Sequence, residues 1–208
     1  MNGSHCRGEV KCRSEYRGRG ASLVTTVRTG EKYGFYKSRE CILTVPGKVF
    51  AQTVAIYPSV GENLPIFASE YLRIGQNSFG AVDFHPPGTE KTDYGGLLGQ
   101  FPARSVQSSR HYDLDTWFSP VLWIERGDMG VRRAFEREYL ARLGAYYSLL
   151  NTNLMFGGAG PDNHEAFNGY MAEHDPARGI LKAYFGAEFA NDYLRLVLFG
   201  QKSVCGVH

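Results

Sequence analysis

Short β-like runs follow one another at spacings of about ten residues from Ala21 to His85, each closed by turn residues. That rhythm constrains the fold more than any other feature. "ASLVTTVRT" opens the series and "KYGFYKS" follows a Gly-Glu turn. "CILTV" and "KVFAQTVAIYP" flank Pro46-Gly47, which suits the centre of a type II turn. "NLPIFASEYLRIG" and "SFGAVDFHP" flank the turn at Gly75-Gln76-Asn77. Strands so closely spaced pair as an antiparallel meander. Within the fourth run Thr53, Ala55 and Tyr57 share one face, and Val54 and Ile56 the other.

The period changes after Gly127-Asp128, where Asp128 is placed to cap a helix. Phe135, Tyr139, Leu143, Tyr146 and Leu150 recur at steps of four and three, one face of a helix. A second helix is predicted over 163–173, and a helical region from Pro176 through "ILKAYFGAEFANDYLRLVLF". Residues 86–110, rich in Gly, Pro and Ser, read as a long loop, and "WFSPVLWIER" as one more apolar segment. Neither a repeat nor a linker divides the chain, so 1–208 reads as one domain, with 1–20 a basic lead-in or edge element. Strands first and helices later predict an α+β or three-layer α/β/α arrangement around one antiparallel sheet.

Charge narrows the function classes. The net charge is +2, yet residues 1–40 hold nine Lys and Arg against four Glu. Such a segment is either a solvated face or an attractor for an acidic partner. No RRM, zinc-finger or helix-turn-helix signature accompanies it, which disfavours nucleic acid. Cys6, Cys12, Cys41 and Cys205 lack CxxC spacing, and His5 with Cys6 and Cys12 has no second ligand pair, so no metal site is expected. Without a secretory segment or a long apolar run, the expectation is a cytoplasmic, membrane-free protein with free thiols.

Two carboxylates stand out. Asp83 and His85 sit two apart in a mostly apolar strand ended by Pro86-Pro87, and point to the same face. A desolvated carboxylate needs a partner. Asp83 therefore either binds backbone amides near the strand end or serves a ligand, and His85 lies where surface exposure is also common. Asp175, in "AEHDPARGIL", has the grammar of a helix cap followed by Pro, and at a pocket rim its second oxygen can meet a ligand. There is no G-x-S-x-G, P-loop or G-x-G-x-x-G, and His164-Glu165 does not extend to H-E-x-x-H.

"KVFAQTVAIYP", "NLPIFASEYL", "GAVDFHP" and "DPARGILKAYFGAEFANDYLRLVLF" together resemble the ferredoxin-dependent bilin reductases over about residues 35–200. The resemblance implies an α/β/α sandwich with a central antiparallel sheet, holding biliverdin IXα between sheet and C-terminal helices without a metal or flavin. It implies electrons from ferredoxin, one at a time, and protons from Asp83 and Asp175 on opposite faces of the bilin. Glu40, placed with a one-residue shift, and His85 are implied as auxiliary donors. Thr53, Arg126 and His174 are the implied substrate contacts. Arg126 is preferred over Glu125 because it can pair with a propionate. Thr53 replaces a histidine of phycocyanobilin-forming relatives and cannot act as an acid at physiological pH. The resemblance implies phycocyanobilin or a related reduced bilin as product, and these departures leave open two-electron or four-electron reduction, at a vinyl group or a methine bridge. Heme oxygenase would lie upstream, and a phytochrome or phycobiliprotein downstream. A non-catalytic tetrapyrrole carrier and a reductase of a chlorophyll catabolite are the alternatives.

Overall fold

The computed structural model describes residues 10–29, 35–58, 64–86, 94, 96–106, 108–152 and 162–200. Among them seven strands form one sheet in sequence order: β1 (Val10–Gly18), β2 (Ala21–Thr29), β3 (Phe35–Val45), β4 (Val49–Pro58), β5 (Ile66–Ile74), β6 (Asn77–His85) and β7 (Trp123–Gly127). Every pairing is antiparallel. The meander follows from short turns. Lys48 N donates to Val45 O at 2.9 Å and Gly47 has φ 71°, as a type II turn demands of its third residue. The basic lead-in is an edge strand, with Lys11, Arg13, Glu15 and Arg17 outward and Cys12, Ser14 and Tyr16 half-buried. "KYGFYKS" and "CILTV" contribute to one strand rather than two; Phe35–Val45 runs without a break.

One face of β5–β7 carries α2 (Gly130–Thr152), which begins where Asp128 accepts from Gly130 N at 2.9 Å. All five residues of the expected helical face join Phe67, Tyr71, Val82 and Phe84 in one core cluster. Each large apolar side chain so buried stabilises by roughly 1.5–3 kcal/mol. Tyr146, fully buried, donates its hydroxyl to Pro65 O at 2.8 Å, so its polar end carries no desolvation penalty.

The opposite face is covered in two patches. α4 (Ala177–Phe185), α5 (Ala187–Asp192) and a π-helical turn (Tyr193–Leu198) pack on Leu23, Val27, Leu43 and Val49. α1 (Leu114–Trp117) and α3 (Asp162–His174) pack on Tyr57 and Ile66. The "WFSPVLWIER" segment thus divides into the end of α1, a turn and β7. The result is three layers, helix on sheet on helix.

Cys12 is disulfide-bonded, contrary to the expectation of free thiols, and Cys41 is free and buried. Among the described residues no helix is long and apolar enough to cross a membrane, and no group of His, Cys, Asp or Glu is arranged to hold a metal. His5 and Cys6 lie outside the described residues.

Candidate functional site

Directly paired residues of an antiparallel sheet share a face. The register therefore writes out the floor between the two helical patches. One row runs Thr25, Cys41, Thr53, Glu70, Ala81, Ile124, and the next runs Val27, Arg39, Ala55, Ala68, Asp83. Where the patches part, the side chains are short: Ala51, Thr53, Ala55, Ala68 and Ala81 are all half-buried. Central strands of a sheet normally bury long apolar residues, so this stretch of small ones leaves a shallow trough. Glu70 stands in its middle, paired with Thr53 on one side and Ala81 on the other.

Asp175, in the helical layer over this face of the sheet, is near enough for its charge to act on Glu70. It occupies the joint between α3 and α4, where its Oδ1 accepts from Ala177 N at 2.7 Å and its carbonyl from Arg178 N. The side chain thus bonds the first turn of α4 as a cap would, although the N-cap position itself falls on Pro176, and Oδ2 is left for another partner. Burial first, and then the charge of Asp175, push Glu70 up to about 8. Burial likewise pushes Asp175 up to about 6, against the opposing pull of Ala177 N–H and Arg178. The Tyr112 hydroxyl is raised by burial and then by the charges of Asp175 and Glu70. Its ring leans on Phe118 at 5.3 Å and Tyr170 at 6.5 Å, so the segment around 109–113 covers one end of the trough.

Asp83 and His85 are on the same sheet face but are sealed from the trough, at 2% and 4% exposure. Asp83 Oδ1 accepts from Ser119 Oγ at 2.5 Å and its Oδ2 from Ser119 N at 3.1 Å. His85 Nδ1 lies 3.3 Å from Oδ2 and 3.0 Å from Trp117 O, between the rings of Phe118 and Phe167. Burial holds His85 below its usual range, against the raising effects of Asp83 and the Trp117 carbonyl. The backbone-amide alternative for Asp83 is what the structure holds. The strand-end exposure expected for His85 is corrected, because Phe118 and Phe167 close over it.

Glu40 is also corrected. It pairs with Val54 and Thr26, so it points to the α2 face, where Gln52 Nε2 donates to it at 2.8 Å. Its neighbour Cys41 occupies the row of Thr53 and Glu70. Arg126 does reach the trough face, over the ring of Phe79 at 5.5 Å, whereas Glu125 pairs with Gly80 and faces α2. His174 is exposed, stacked on Tyr170 at 4.2 Å, with Nδ1 2.8 Å from Tyr170 O. A surface recess of about 500 Å³ between the β1–β2 turn and Tyr184, Phe185 and Phe189 includes none of these groups.

The sequence reading missed Glu70. The signal was available: a glutamate in the apolar run "PIFASEYL" is as anomalous as Asp83 in its own strand. What separates them is the neighbourhood. Asp83 meets two Ser119 donors, while Glu70 faces a second carboxyl over short side chains.

A family model for "Ferredoxin-dependent bilin reductase" matches residues 7–200. Among curated proteins, the chain is 28% identical over 182 residues to a 15,16-dihydrobiliverdin:ferredoxin oxidoreductase of Prochlorococcus marinus (strain MIT 9211), covering 80% of this chain and 76% of that protein. It is 24% identical over 168 residues to a phycoerythrobilin:ferredoxin oxidoreductase of Parasynechococcus marenigrum (strain WH8102), covering 69% and 62%. The fold is similar to that of tomato phytochromobilin synthase solved in complex with biliverdin, at TM-score 0.62 and 15% identity over 93% of this chain and 77% of that one.

Proposed function

The chain belongs to the ferredoxin-dependent bilin reductase family, and from that premise we propose that it reduces biliverdin IXα or its dihydro form to a phycobilin, with Glu70 and Asp175 as the proton donors. What carries the reading is a pair of raised carboxyls, Glu70 among floor alanines and Asp175 at the α3–α4 joint, the charge of the second acting on the first. Each two-electron reduction of a double bond takes two electrons and two protons. Ferredoxin supplies electrons singly and no protons, so the protein must supply or relay them. A glutamic acid held at about 8 is protonated at neutral pH and can give its proton to a bilin carbon or oxygen that has gained an electron. Asp175, at about 6, then holds negative charge against the cationic pyrrole system and passes protons from solvent. Asp83 acts through Ser119 and His85 through the Trp117 carbonyl, fixing the turn that carries the 117–122 segment. Thr53, paired with Glu70 across the strands, has a hydroxyl to offer the bilin but no acid function.

The exposed Lys11, Arg13, Arg17 and Arg19 of the β1 hairpin suit an acidic ferredoxin. Heme oxygenase would supply the substrate, and a phytochrome or phycobiliprotein would take the product.

The test is an anaerobic reaction of protein, biliverdin, ferredoxin, its reductase and NADPH, followed by absorption and product chromatography. Bleaching of the bilin band toward a new product is expected. Glu70→Gln is expected to bind bilin and lower turnover about 100-fold or more, as the loss of a general acid predicts. An unchanged bound spectrum in the wild type, or full turnover by Glu70→Gln, refutes the assignment.

A further inference from the structure

Lys37 and Arg39 lie two apart on β3 and face the trough side of the sheet. Both are buried, at 3% and 2% exposure. Both donate to one acceptor, the carbonyl oxygen of Gly200, Arg39 doing so through Nη2 at 2.9 Å. Arg39 Nε and Nη1 are buried with no hydrogen-bond partner. The Tyr57 ring lies under both cations, 5.2 Å from Lys37 Nζ and 5.8 Å from the Arg39 guanidinium, but a ring face does not satisfy in-plane N–H groups. Among the described residues neither cation forms an ion pair with a carboxylate.

This is an unusual balance of charge. Burial and the neighbouring guanidinium push Lys37 down to about 7, so the lysine can relieve the repulsion by losing its proton. Arg39 has no such escape, because a guanidinium stays charged. A buried charge with donors to spare is costly unless an anion arrives to meet it. The position tells which side the anion comes from. Arg39 pairs directly with Ala55, and Ala55 with Ala68, both short and half-buried floor residues. The guanidinium is as closed over as Asp83 at the far end of the same row, and the two half-buried alanines are the floor residues nearest to it in the register.

We propose that Lys37 and Arg39 form a carboxylate site at the β3 border of the trough, and that it receives one of the two propionate carboxylates a bilin carries. The occupant rests on the bilin reading above. The site itself rests on the unpartnered donors. A propionate here would fix which end of the tetrapyrrole lies over Glu70, and so which double bond is reduced.

The competing contact is Arg126, on the same face but four strands away. The experiment titrates biliverdin and its dimethyl ester, by absorption, into wild type, Arg39→Met and Arg126→Gln. Wild type is expected to prefer the free acid. Arg39→Met is expected to weaken the acid about tenfold or more while leaving the ester within about twofold, as the loss of a charged hydrogen bond predicts. An Arg39→Met protein that binds the acid like wild type overturns the proposal, as does equal weakening of acid and ester. So does loss of the acid preference in Arg126→Gln with that preference kept in Arg39→Met. Wild type binding neither compound refutes the bilin reading itself and the occupant with it. Inorganic phosphate provides a separate arm without bilin. If it raises the melting temperature of wild type but not of Arg39→Met, and acid and ester bind alike, the site takes free anions and the propionate assignment is overturned. Where Arg39→Met does not fold, Arg39→Lys is read instead. It keeps the charge without the fork, so weaker binding of the acid alone is expected, and unchanged binding overturns the proposal.

Discussion

Glu70 ionises into a space that already holds Asp175, and the consequence is measurable without any ligand. Its folded value, about 8, lies above the ordinary 4.5 of a glutamate in the unfolded chain, and Asp175 is shifted from 3.8 to about 6. Between those limits the folded protein binds more protons than the unfolded one, so stability falls as pH rises. The contribution is fully present below about pH 4 and is lost on passing through pH 8. Lys37, lowered to about 7, works the other way above neutrality, since there the unfolded chain holds the extra proton. A comparison with Glu70→Gln cancels the lysine. The melting temperature of wild type relative to Glu70→Gln is expected to drop by about 3 °C or more between pH 5 and 8, taking roughly 2–4 °C per kcal/mol for a chain of this size. A difference independent of pH means the carboxyl ionises as readily folded as unfolded, and the acid role assigned to it loses its basis.

Elements were read from the sequence where period and turn residues spoke together. The β2 run, the Pro46-Gly47 turn and the apolar face of α2 needed no tertiary information, because alternation and the helical repeat are local. β1 was harder, since an edge strand with four charged residues outward lacks the apolar density of its neighbours. The site was legible in part. Asp175 announced itself at the start of a helix, but Asp83 and Glu70 are both single carboxylates in apolar strands, and only the sheet register and the position of Ser119 tell the buried carboxylate from the half-buried one. Glu40 was misplaced by one residue, which in a strand is a change of face. Packing between elements is equally invisible locally. A Cβ on Gly80 would come within 2.9 Å of Trp123 and 3.2 Å of Phe135, so β6 meets α2 closely only because residue 80 has no side chain. Gly80→Ala is expected to cost about 1–3 kcal/mol, as overpacking does. Gly144→Ala, on the exposed side of α2 with nothing within 4 Å, is expected to gain about 0.5–1 kcal/mol from helix propensity. Urea melts of the two variants decide this; equal effects would show that the β6–α2 contact yields to an added methyl group.

Across the whole molecule the two sheet faces are filled by different rules. On the α2 side Phe67, Phe84, Phe135 and Tyr146 interlock without leaving a trough. On the other side two separate clusters, one under α4 and α5 and one under α1 and α3, leave a strip of alanines between them, and the α3–α4 joint with Asp175 crosses above it. A flat ligand lying on that strip touches both clusters and ties them together. Anything that binds the folded state alone stabilises it, by about 2.7 kcal/mol at a hundred times the dissociation constant. The stabilisation falls first on the segments whose opening admits the ligand. Hydrogen exchange with and without biliverdin is therefore expected to slow in residues 171–181 and 109–119, by about tenfold or more at that saturation. The amides of α2, held by the closed face, are expected to change little. Protection confined to Gly18 and Tyr184–Phe189 would instead place the pigment in the recess beside the β1–β2 turn, and the strip of alanines would then be a packing accident rather than a floor.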